Sequence, residues 1–196
     1  MNFIGNDIID LRHPPNIGVE KKSRYLQKFL TETEQNLVPN LSQQNIWLLW
    51  SIKETAYKSF VKQGAPIGFY PKKIHISSLV EQDGKHAATV KYEDLITQTT
   101  SVVSEEHIHT LTRTEPTTQN SKIFRSIPNE VSACLRHELT KSIAQELKIL
   151  PEYISISKSK KNVPLVSVKQ SNVFIDVSFS HDNNWGAFVY EISFIE

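Results

Sequence analysis

From Ser42 to Lys62 the apolar residues Ile46, Leu49, Trp50, Ala56, Tyr57 and Phe60 recur at helical spacing, which predicts one long helix. Gly64, Pro66 and Gly68 end it. From Pro128 to Leu150 a second helix follows from Val131, Leu135, Leu139, Ile143 and Leu147 at four-residue steps. Val19 to Phe29 predicts a short surface helix, with Tyr25, Leu26 and Phe29 as its apolar side. Thr31 and Glu34 have the spacing of a capping box, so a helix starts there. Alternation of apolar and polar residues marks strands at Lys73 to Leu79 and Ala87 to Tyr92, and Asp83-Gly84 between them is a hairpin signal.

Phe3-Ile4 before Gly5 reads as a short buried strand running into a turn. Ser101 to Arg113 reads as one further strand region, and Thr114 to Asn120, polar and containing Pro116, as a linker. Strands are expected near Ile154-Ile156, Leu165-Val168, Phe174-Phe179 and Gly186-Ile192. The chain thus divides into two halves, 1–115 and 116–196, each with a main helix and several strands, and the expected class is α+β.

The 196 residues suffice for one large domain or two small ones. Hydrophobic residues make up 39% and charged residues 22%, which excludes a disordered chain. A net charge of +1 argues against a nucleic-acid partner. The lone cysteine, Cys134, forbids an intrachain disulfide and reads as a buried helix residue. The N-terminus lacks a signal-peptide pattern, and no apolar run is long enough to span a bilayer; a cytoplasmic protein with no membrane partner is expected.

Three constellations carry candidate chemistry. Asp7, just after Gly5, and Glu54, on the long helix, offer hard oxygen ligands of the kind Mg²⁺ takes alongside water and substrate phosphates. The plainer readings are a turn-forming aspartate and an i, i+4 pair between Glu54 and Lys58. Lys53 and Lys58 can hold phosphate; Lys53 shares the apolar stripe and so should face the protein. Ser180 and His181 follow a strand and can bind a phosphate, act as an acid–base pair, or form a turn. A Ser180-His181-Asp182 triad is excluded because neighbours in a strand point to opposite faces. His75, His86, His107 and His109 make no zinc pattern. The glycines form no phosphate loop or dinucleotide fingerprint. Lys158-Ser-Lys-Lys161 is a basic cluster that reads first as a solvated turn and second as a phosphate or nucleic-acid contact.

Taken together, Gly5-Asn-Asp7, Trp50-Ser-Ile-Lys53-Glu54 with Lys58, and Ser178-Phe-Ser180-His181 resemble the 4'-phosphopantetheinyl transferases. The resemblance implies an α+β fold made of a pseudo-two-fold pair of similar halves, with the active site between them. It implies Mg²⁺-dependent transfer (Mn²⁺ being the alternative ion) of phosphopantetheine from coenzyme A to a serine of an apo acyl or peptidyl carrier protein, as in fatty acid or polyketide assembly. Adenosine 3',5'-bisphosphate is the other product. By the same resemblance Asp7 and Glu54 bind the metal and Glu54 serves as, or positions, the base. Lys58 neutralises phosphate or protonates the leaving group, Lys53 supports it, and Ser180 and His181 meet the 3'-phosphate.

In the larger, surfactin-synthetase-type members the halves run in the opposite order, so this chain resembles a circular permutant. The shorter holo-acyl-carrier-protein synthases share this order but build the site between subunits; a monomer is expected here. Departures from the pattern fall at Ile9, where larger members carry a second acid, leaving Asp10 or water as third ligand. They also fall at Val163-Pro164, where Lys161 stands in for a lysine, and at a helix arginine for which Arg125 and Arg136 are the candidates. These departures motivate the alternative of a non-catalytic relative that binds coenzyme A or a carrier protein. Carrier contacts are expected near Gly64–Tyr70 or Val19–Phe29.

Overall fold

In the computed structural model, which describes residues 3–113 and 119–195, the first strand is β1 (Asn6–Asp10). The strand begins at the Asn-Asp pair, where the sequence suggested a strand at Phe3-Ile4 and then a turn. Gly5 misled because its role is not a turn. A Cβ there would stand 2.2 Å from the carbonyl oxygen of Thr55, so the glycine lets the long helix lie against the strand backbone.

Two short helices follow, α1 (Ser23–Phe29) and α2 (Glu32–Gln35), the second carrying the expected Thr31–Glu34 capping box. The long helix is α3 (Gln43–Lys62), capped by the Ser42 hydroxyl. The hairpin forms β2 (His75–Gln82) and β3 (Lys85–Tyr92), with Asp83 and Gly84 both at positive φ in its turn.

The stretch expected as one strand region is two strands, β4 (Leu95–Val103) and β5 (His107–Thr112). Their turn contains neither glycine nor proline. Ser104 makes it instead, its Oγ accepting the N–H groups of Glu106 and His107 at 3.2 and 2.9 Å. The expected linker falls largely outside the described residues, and its last residue, Asn120, already belongs to a strand.

The remainder is β6 (Asn120–Arg125), α4 (Val131–Leu147), β7 (Ile154–Lys158), β8 (Pro164–Val168), β9 (Val173–Asp182) and β10 (Trp185–Phe194). Cys134 lies on α4 as expected, but it is half-buried where burial was expected. No helix among the described residues is long and apolar enough to cross a membrane.

The strands form two five-stranded antiparallel sheets, ordered β1-β5-β4-β3-β2 and β6-β10-β9-β8-β7. The two orders are identical once each half is counted from its own first strand. In both halves the long helix sits between the first and second strands. The fold is therefore α+β with two similar halves. α3 packs Ile46, Leu49, Ile52 and Phe60 on the first sheet; α4 packs Leu135, Leu139 and Ile143 against Val177 and Phe188 on the second. Each such side chain contributes about 1.5–3 kcal/mol by leaving water.

The halves meet along the free edge of β1. No strand pairs there; the N–H groups of Asn6 and Asp10, and of Ile4 just before the strand, donate to side chains of β9 instead. Ile4 donates to Asp176 at 2.7 Å, Asn6 to Ser178 at 3.1 Å and Asp10 to Asp182 at 2.9 Å. Each pair is 172 residues apart, so β9 tracks β1 in step, using alternate residues of one face. The carbonyls of Ile4 and Asn6 on the same edge accept from Lys62 and Lys58 of α3 at 2.7 and 2.9 Å. An edge that would otherwise recruit another strand is thereby sealed.

Candidate active site

Asp7 is the residue of β1 that faces α3, and it is brought there by the close approach at Gly5. Lys58 reaches it from α3, with Nζ 3.3 Å from Asp7 Oδ1 and 4.0 Å from Glu54 Oε1. The i, i+4 pair between Glu54 and Lys58 is thus present, and it is part of the same cluster as Asp7. Burial pushes the Asp7 carboxyl up to about 7, with Lys58 opposing and Glu54 adding to the rise. Burial raises Glu54 as well, against the pull of Lys58. Asp7 Oδ2 is buried and makes no hydrogen bond. Two confined carboxylates, one with an unpartnered oxygen, fit a hard divalent cation that keeps waters of its own. No group of three metal-ligating side chains occurs among the described residues. A cation here would draw its other ligands from water or substrate.

Beside this cluster lies a cavity of about 410 Å³ between the halves. Its walls come from α3, α4, the β7–β8 turn and β9. They carry Lys58, Arg136, Lys158, Lys161 and His181 and no carboxylate, while Lys62, also in the wall, turns its ammonium into the protein. Tyr57, Val61, Ile67, Leu135 and Phe179 supply an apolar lining. Such a surface suits a ligand with several phosphates and an uncharged arm. Lys158 and Lys161, read from sequence as a solvated turn, stand on its rim, and of the two arginine candidates Arg136 lines it. Arg125 does not; it pairs with Glu106 at 2.6 Å and stacks on Trp185.

Three expected site residues are placed elsewhere. Lys53 is wholly buried, its ammonium bonded to Glu34 at 2.7 Å and to the carbonyls of Phe29 and Pro71 at 2.9 and 2.8 Å. With its donors taken by the protein it has none for phosphate, and it ties α1, α2 and the segment before β2 to α3. Ser180 lies inside β9, which runs on to Asp182, so it faces away from His181. Its hydroxyl accepts from Asn6 Nδ2 at 2.9 Å in the seam. Asp10 also turns to the face opposite Asp7, accepting from Arg12 N–H and Asn183 Nδ2; it is no third metal ligand. For Ser180 and Asp10 one residue of strand register decides the face, and for Lys53 its place on the apolar side of α3 does.

Sequence reasoning passed over Ser51, Ser178 and Lys62. Ser51 lies beside Asp7, pulling its carboxyl down, and donates to Thr110 Oγ1 at 2.9 Å. Ser178 lines the cavity while capping Asn6 N–H. Lys62 was readable only as one more helix lysine, although its step of four from Lys58 puts it on the same side.

Comparison with known proteins gives a family. Residues 3–112, more than half of the chain, match the 4'-phosphopantetheinyl transferase superfamily. The chain belongs to that superfamily. The matched segment contains Asp7, Glu54 and Lys58 and stops before the half that bears His181. A crystal structure of Helicobacter pylori holo-[acyl-carrier-protein] synthase in complex with coenzyme A aligns over 97% of this chain and 99% of that one, with 16% identity and a TM-score of 0.27. That likeness is too slight to carry an inference. No curated protein matches.

Proposed function

We propose that this superfamily member moves 4'-phosphopantetheine from coenzyme A to a serine of an apo acyl or peptidyl carrier protein, with Mg²⁺ or Mn²⁺ at Asp7 and Glu54. The observation that carries the reading is the junction at Lys58, which touches Asp7 and at the same time lines the basic cavity. Chemistry-bearing carboxylates and a phosphate-binding surface are joined by one side chain.

His181, Arg136, Lys158 and Lys161 hold the phosphates of coenzyme A, and the apolar wall at Tyr57, Val61 and Ile67 receives the pantetheine arm. Glu54, about a quarter exposed, takes the proton of the carrier serine. The serine oxygen then bonds to the phosphorus that carries pantetheine, and the bond from that phosphorus to the bridging oxygen breaks. Lys58 neutralises or protonates that oxygen as adenosine 3',5'-bisphosphate leaves. A divalent cation at the carboxylates supplies charge neutralisation and alignment of the pyrophosphate.

The division into 1–115 and 116–196, with the site in the cleft between halves of one chain, is supported by the two sheets and supports activity as a monomer. The permuted order gains support from the nearness of Ile4 to the last strand, β10. Ile4 bonds to Asp176, three residues from Val173, which pairs with Phe194 of that strand. Release of adenosine 3',5'-bisphosphate in step with carrier modification tests the reaction; bisphosphate released without carrier modification contradicts it.

A further inference from the structure

Lys62 lines the cavity one turn beyond Lys58, yet its ammonium faces the protein. It donates to Ile4 O at 2.7 Å and Val177 O at 2.8 Å, and it pairs with the Asp176 carboxylate. The other oxygen of that carboxylate accepts Ile4 N–H at 2.7 Å. The two side chains are only 5% and 10% exposed. With these three partners the ammonium has no donor left for a phosphate.

The ring formed by Lys62, Asp176 and Ile4 joins three elements that bear the site. Ile4 lies three residues before Asp7, Val177 four residues before His181, and Lys62 four residues after Lys58. We infer that Lys62 and Asp176 are a positioning pair that sets the spacing between the carboxylate wall and the phosphate-binding wall of the cleft. Strands and helices are stiff over so few residues, so a fixed junction at Lys62 fixes where Asp7 and His181 stand relative to one another. A misplacement of about 1 Å is enough to cost about a hundredfold in rate. The inference rests on the proposed transfer reaction for its kinetic readout and on ligand linkage for an independent one.

The test uses the full chain as wild type, Lys62→Met and Asp176→Asn. It measures kcat and KM for coenzyme A with saturating carrier, and coenzyme A affinity by calorimetry with and without Mg²⁺. For Lys62→Met, kcat falls about tenfold or more. Its metal-free coenzyme A affinity stays within about threefold of wild type, and the gain in that affinity on adding Mg²⁺ disappears. Asp176→Asn keeps an acceptor for Ile4 N–H and loses about three- to tenfold in kcat. If Lys62→Met does not fold, Asp176→Asn decides alone, and unchanged kcat overturns the inference. A loss confined to metal-free coenzyme A affinity makes Lys62 a phosphate ligand and overturns it too. An inactive wild type refutes the transfer reading; the pair is then judged on linkage. Mg²⁺ linkage that persists in Lys62→Met, or is absent from wild type, overturns the positioning role.

Discussion

Lys58 donates to the carbonyl oxygen of Asn6 at 2.9 Å. The lysine is thereby fastened to the strand that carries Asp7, so its place relative to the carboxylate is set by backbone. Lys58→Met is expected to lower kcat at least about a hundredfold, because the charge opposite the reacting phosphates goes. The fold loses only about 1.5–3 kcal/mol, the scale of one hydrogen bond to a charged group. Steady-state kinetics beside thermal melts check the contrast; equal losses in both would make Lys58 structural.

Asp7 is held at a cost to the fold. Its carboxyl is raised by burial from 3.8 to about 7, so the folded state holds a proton that the unfolded chain has already released. That contribution to stability is complete below pH 3.8 and is lost as pH rises through 7. Above that, the ionised group destabilises the metal-free protein by on the order of 4 kcal/mol. In chelator the midpoint of wild type should fall relative to that of Asp7→Asn as pH rises through 7, and Mg²⁺ should raise it in wild type alone. A metal-insensitive midpoint would remove Asp7 from the metal site.

His109 predicts the opposite slope. Burial depresses its imidazole from 6.5 to about 4, and its Nε2 has no partner. The unfolded chain therefore binds a proton that the folded one refuses, and the contribution of His109 to stability falls as pH drops from 6.5 toward 4. The loss is about 3 kcal/mol at the acid end. As pH drops from 6.5 toward 4, the urea midpoint of His109→Gln should gain on that of wild type.

Lys53 separates structure from binding. Lys53→Met leaves Glu34 buried without its cation, an expected loss of about 3–5 kcal/mol. Where the variant stays folded, KM for coenzyme A should match wild type. A raised KM with unchanged stability would return Lys53 to phosphate binding.

Much of this was legible in the sequence, and the misses share a cause. The stripe from Ile46 to Phe60, the Thr31–Glu34 box and the Asp83-Gly84 turn are local patterns, and each formed as expected. Asp7, Glu54 and Lys58 were legible as a set through the family resemblance. Ser180, Asp10 and Lys53 carry the right chemical groups, but strand register and helix face send them elsewhere. No local pattern marks the step between β1 and β9, since it depends on partners 172 residues apart. The β4–β5 turn was hidden because a serine did the work that glycine usually does.

The central claim is best met by following the mass of an apo carrier protein incubated with coenzyme A, Mg²⁺ and either wild type or Glu54→Ala, with both folds verified by melting. The account predicts that wild type adds one phosphopantetheine, that chelator stops it, and that Glu54→Ala adds none while remaining folded. Modification by Glu54→Ala at the wild-type rate would contradict it.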